Sequence, residues 1–175
     1  MKVIGFGAAL VDKQFLVKDD ALSDLGIEKG LMTLNSEEEQ NQLLTFLQNQ
    51  NYDQISSCGG SATNSIYAAA ALGTSSGFIG KVAQDEDGGI YNNDLKDNNI
   101  EISNCITSSN GKTGNCIVLI TPDAERTMNT YLGVSSETKF SEINFQQVSE
   151  ANLLFMEAYV VTSPCLLYTS DAADE

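Results

Sequence analysis

An α/β layered domain carrying a small β appendage is the fold class this sequence predicts, and three observations predict it. Short apolar runs alternate with helical patterns through residues 2–100. The pattern then turns β-rich across 114–133, where two strand-like runs flank the turn "TPDAE". A continuous apolar run, "NLLFMEAYVV", then restores the buried parallel-strand type.

In chain order, "KVIGFGAALVD" predicts a first strand ending among glycine and small residues. "NSEEEQNQLLTFLQNQ" predicts an amphipathic helix, with Ser36 and Glu39 at capping-box spacing and Leu43, Leu44 and Leu47 as its apolar stripe. The strand "DQISS" leads into "CGGSATNSIYAAAALG", where two glycines precede an alanine-rich helix. Gly59 and Gly60 suit a tight strand-to-helix turn, with Ser61 or Thr63 as the helix cap. The same turn also suits a ligand touching bare backbone, with Asn64 donating to and accepting from hydroxyls. The residues alone leave both readings open. "SSGFIGKV" follows as a strand, and "DEDGGIYNNDLKDNNI" as a helix with acidic residues in its first turn, where the helix dipole favours them. "QFLVKDD" and "KGLMTL" are further candidate strands of the appendage.

Composition removes several functions. At 175 residues and 42% hydrophobic content the chain can bury a real core. With 24 acidic and 9 basic residues its net charge is -15, which argues against a nucleic-acid backbone or an anionic membrane as partner. No apolar run reaches the length of a membrane span, and the first residues turn charged too early for a signal peptide, so a cytoplasmic location is expected. The four cysteines, Cys58, Cys105, Cys116 and Cys165, show no C-x-x-C spacing, and there is no histidine. A zinc finger, a Ser-His-Asp triad and a Cys-His pair are therefore excluded, and the thiols are expected to be reduced packing groups. Gly5 and Gly7 lack the third glycine of a dinucleotide fingerprint, since Leu10 stands there. "GKT" at 111–113 lacks the earlier glycine of a P-loop.

The segment from Cys58 to Ile100 resembles the first signature of the PfkB, or ribokinase-like, carbohydrate and nucleoside kinases. It carries Gly-Gly, an Asn four residues later, an alanine-rich helix ending in Leu-Gly, then Phe-Ile-Gly, an Asp and a Gly. "VDKQFLVKDDALSDLGIEKGLMTL" and "TPDAERTMNTYLG" are similar to the adenosine-kinase branch. The resemblance implies a three-layer α/β/α domain over about residues 1–164, with a β-sheet lid drawn from about 13–34 and 105–132. It implies phosphoryl transfer from ATP with Mg²⁺ to the primary hydroxyl of a nucleoside or sugar held between domain and lid. A lid-mediated homodimer is the oligomer it suggests.

By the same resemblance, Asp12 at the end of the first strand accepts hydrogen bonds from two ribose hydroxyls, Gly60 offers backbone at close range, and Asn64 binds the ribose. Arg126 approaches the transferring phosphate, a task for which a planar donor fork is suited. Structural alternatives are a helix or turn cap for Asp12 and a surface ion pair with Asp123 or Glu125 for Arg126. Two departures stand out. Ala8 occupies the place where members of the branch carry Asn, and the G-A-G-D segment that supplies the family's catalytic base is absent. The final "CLLYTSDAADE", residues 165–175, looks like a translated sequencing adapter. The expectation is therefore the N-terminal, acceptor-binding part of a kinase, inactive by itself. The alternative is a non-catalytic sugar-binding or lid-mediated dimerisation module.

Overall fold

The computed structural model describes residues 1–162. Its elements are β1 (Lys2–Phe6), β2 (Leu10–Leu16), α1 (Asp19–Leu25), β3 (Met32–Leu34), α2 (Glu37–Asn49), β4 (Gln54–Gly59), α3 (Ser61–Ala71), β5 (Ser75–Ala83), α4 (Glu86–Asp97), β6 (Ile100–Ser108), β7 (Thr113–Ile120), β8 (Arg126–Gly133), α5 (Phe145–Ser149) and β9 (Leu153–Met156). They form two sheets. One is parallel throughout, in the order β6-β5-β1-β9. The other is mixed, in the order β3-β8-β7-β2-β4, with β7 parallel to β2 and antiparallel to β8.

Three apolar clusters hold these layers. Val3, Ile66, Phe78, Tyr91 and Leu95 fill the space between the parallel sheet and helices α3 and α4. Ile4, Phe6 and Ile79 cover the sheet's other face, against Val148 of α5 and Ile143 just before it. Phe15, Leu22, Leu43, Leu47, Ile117 and Leu119 join the mixed sheet to α1 and α2. Helix α2 forms as its sequence predicts. The Ser36 side chain accepts from the Glu39 N–H, the Glu39 carboxylate accepts from the Ser36 N–H, and Leu43 and Leu47 face inward. Among the described residues no helix is long and apolar enough to cross a membrane.

Four expectations need correction. The run 2–12 is not one strand: the chain leaves the parallel sheet after Phe6, crosses on small residues, and re-enters as β2 of the mixed sheet. Ala9 in that crossing is wholly buried, its N–H bonded to the Ser135 hydroxyl, so only a small side chain fits. Asp12 consequently lies within β2 rather than at the end of the first strand. "QFLVKDD" divides at Leu16, and its acidic end opens α1, where Asp19 and Asp20 meet the favourable end of the helix dipole. The mixed sheet draws on β4 as well as on the expected segments, and its later part starts at Thr113; residues 105–108 pair with β5 instead. Lastly, "LLFM" does form a parallel strand beside β1 but is exposed, because β9 lies at the sheet edge, and the chain after it coils into a 3-10 turn at Ala158–Thr162. The expected tail at 165–175 lies outside the described residues.

Candidate functional site

A cleft of about 220 Å³ opens where the mixed sheet overhangs the start of α3. Asp12, Gly60, Asn64 and Arg126, far apart in sequence, all line it. A larger groove runs along the outside of α2 past Glu37, Asn41 and Phe46, but the residues of a single helix form it.

Each side chain has a local cause for its place. Strand alternation turns Val11 into the core and Asp12 toward the cleft. Asp12 opposes Ser57 and Cys116 on the neighbouring strands. Gly59 backs against it so closely that a Cβ there would stand 2.1 Å from Asp12 Oδ1. Gly60 has φ +99°, which disfavours any side chain, and a Cβ would lie 2.7 Å from the Ala8 carbonyl oxygen. The two glycines therefore let backbone and carboxylate meet at one edge of the cleft.

The Asp12 carboxylate is half-buried and has no hydrogen-bond or ion-pair partner among the described residues. Burial pushes its pKa up from the ordinary value, and the Arg126 guanidinium offsets part of that rise. A cap role is thus not what the geometry offers. Nor does Arg126 pair with either neighbouring acid. Asp123 is held by Lys29 at 2.9 Å and by the Thr121 hydroxyl at 2.7 Å, while Glu125 accepts from the Arg126 backbone N–H at 3.3 Å. The Arg126 side chain is left exposed at the cleft margin.

Helix α3 starts differently from the expectation. Its N-cap is Gly60, and neither Ser61 nor Thr63 caps it. Thr63 instead shares a 2.6 Å hydrogen bond with the Tyr91 hydroxyl. The cap comes from a residue the sequence reading did not single out: Glu157, whose carboxylate accepts from the Ala62 N–H at 2.9 Å and borders the same cleft. Its one visible signal was a lone acid inside the apolar run "LLFMEAYVV". Met32, Leu34 and Met128 form an apolar wall from the mixed sheet. Cys58, Cys105 and Cys116 are free, and burial pushes the Cys105 thiol up to about 12 and the Cys116 thiol up to about 11, so both are neutral packing groups.

The family model for pfkB family carbohydrate kinases matches residues 34–173. The chain belongs to the pfkB family. Among curated proteins, it is 33% identical over 110 residues to probable fructokinase-6, chloroplastic, of Arabidopsis thaliana, covering 61% of this chain and 29% of the relative. It is 34% identical over 84 residues to fructokinase-2 of Zea mays, covering 48% and 25%. Among solved structures, the adenosine kinase from Sinorhizobium meliloti superposes with a TM-score of 0.84 at 28% identity, covering 93% of this chain and 49% of that one. A probable sugar kinase from Rhizobium etli CFN 42 gives 0.83 at 28%, covering 93% and 48%. The chain thus spans about a third or less of these curated relatives and about half of the solved structures. The ribokinase-like α/β fold expected from the signature is the fold observed.

Proposed function

We propose that this chain is the acceptor-binding part of an ATP-dependent kinase that phosphorylates the primary hydroxyl of a nucleoside or sugar. The observation that carries the reading is Asp12: a half-buried carboxylate with no hydrogen-bond or ion-pair partner among the described residues, facing a cleft beside bare Gly60 backbone and the Asn64 amide. An unpaired charge in such a place costs free energy that a ligand's hydroxyls can offset. Two hydroxyls of a sugar ring donate to the carboxylate, and Asn64 can both donate and accept. The apolar wall of Met32, Leu34 and Met128 supports an acceptor with a flat or apolar portion, as a nucleobase would be. With Ala8 in place of the branch's Asn, one side-chain contact to the acceptor is missing, so Asp12 carries more of the binding.

The ATP and Mg²⁺ that the family implies do not fit the residues described. Among them no group of three or more Asp, Glu, His or Cys could hold a metal ion, and the cleft offers a triphosphate one arginine against two carboxylates. The role proposed for this chain is therefore to bind and orient the acceptor, with Arg126 at the margin where a phosphoryl group would arrive. The 175-residue sequence contains no G-A-G-D segment, so we expect no phosphoryl transfer from it alone.

Calorimetric titration tests the reading. The chain should bind adenosine, ribose or fructose, and Asp12→Ala should weaken the best of them by about 2–5 kcal/mol, two charge-assisted hydrogen bonds being lost. For adenosine the penalty should shrink sharply with the 2′-deoxy analogue, which has little of that contact to lose. No binding of any of the three, or equal loss for adenosine and its deoxy analogue, would overturn the assignment.

A further inference from the structure

We infer that Glu157 is a positioning residue of this cleft: its carboxylate clamps the backbone N–H groups of Ala8 and Ala62 and so fixes the crossing that leads into β2, which carries Asp12, against the first turn of α3, which carries Asn64. The inference rests on the acceptor-site reading for its function, but the clamp itself rests on geometry.

Glu157 Oε1 accepts from the Ala8 N–H at 2.6 Å, and Oε2 accepts from the Ala62 N–H at 2.9 Å. Its own N–H donates to the Phe6 carbonyl at 3.1 Å. One residue just past β9 therefore ties together the end of β1, the crossing into β2, and the first turn of α3. It is 5% exposed and has no lysine or arginine partner among the described residues. Its counter-charge is the set of unpaired N–H groups at the start of an 11-residue helix. Among the described residues this buried carboxylate is held by backbone donors, and it prescribes where they sit, because moving either one strands the charge.

The second glycine of "GFG" has its explanation here. A Cβ at Gly7 would stand 2.5 Å from Glu157 Cδ and 2.7 Å from the Ala62 Cβ, so the crossing is bare where the carboxylate arrives. Asp12 lies four residues beyond Ala8, and Asn64 two residues beyond Ala62. The acceptor groups thus reach the cleft from a strand and a helix whose starts one carboxylate holds in register.

Amide hydrogen exchange, read by NMR on this chain, tests the clamp directly. Ala62 is in the first turn of α3, where an N–H has no intrahelical acceptor, so slow exchange there reports Glu157. In the wild-type chain both Ala8 and Ala62 amides should be protected. Exchange of Ala62 at the unprotected rate overturns the inference without any variant. Glu157→Gln keeps the shape but turns an NH₂ against one N–H donor. It should speed exchange at Ala8 and Ala62 about 10-fold or more, leave Ile79 in β5 unchanged, and raise the Kd for adenosine or fructose about 10- to 100-fold. Gly7→Ala, which displaces the carboxylate, should reproduce that pattern. Unchanged exchange at the two amides, acceleration spread evenly over the chain, or local acceleration with affinity kept within about twofold would each overturn it. A wild-type chain that binds neither probe removes the acceptor reading instead, and the exchange rates still decide the clamp.

Discussion

Asp12 sets binding against stability at a single atom pair. Burial raises its pKa, so folding favours the protonated carboxyl and the ionised form opposes folding. The sign follows from proton counts: between the unfolded and folded pKa values the native state holds the extra proton, and stability falls as pH rises through that window from 3.8 upward. Asp12→Asn should therefore melt higher than the wild type at pH 7, with the difference vanishing below about pH 3, while acceptor binding weakens. Calorimetric melting across that pH range checks it; an asparagine variant less stable at pH 7 would mean that the charge has an internal partner. That Asp12, Gly60 and Asn64 share one cleft was legible because the Gly-Gly-x-x-x-Asn signature and the run ending in Asp12 mark them locally. Glu157 was not, because its partners are backbone groups 149 and 95 residues away and no local pattern encodes them.

At the scale of elements, legibility tracked how much of each element's stability is local. Helix α2 carries its apolar stripe within its own thirteen residues and its capping box between Glu39 and the adjoining Ser36, and it appeared where both predict it. Within that stripe Leu47 is wholly buried and Leu44 only partly. Leu47→Ala should cost about 2–5 kcal/mol in denaturant unfolding and Leu44→Ala distinctly less. Equal costs would mean that α2 packs in a different rotation on the mixed sheet. The break between β1 and β2 was hidden for the opposite reason. "KVIGFGAALVD" has no polar side chain between Lys2 and Asp12, and what divides it is tertiary: Ser135 on Ala9 and Glu157 against Gly7. A uniform apolar run says that residues are buried, not which sheet buries them.

The whole molecule presents an imbalance between its charge and one edge of its main sheet. Among the described residues strand β9 pairs with β1 on one side only, and Leu153, Leu154, Phe155 and Met156 are 38–54% exposed. Its apolar run anticipated a strand buried on both faces, and the related solved structures are about twice as long as this chain. An unpaired, apolar edge strand is a template for association between copies. Opposing that is the net charge of -15, whose repulsion is long-ranged at low salt and screened within about 10 Å at 0.1 M ionic strength. Association of the isolated chain should therefore rise with salt, the reverse of an assembly held by ion pairs. In sedimentation velocity we expect mainly monomer at low ionic strength and growing oligomer at higher salt. Phe155→Lys should shift the balance back toward monomer by placing charge on the edge. A chain that stays monodisperse in high salt, or a lysine variant that associates as strongly as the wild type, would show that β9 is not the surface through which copies meet.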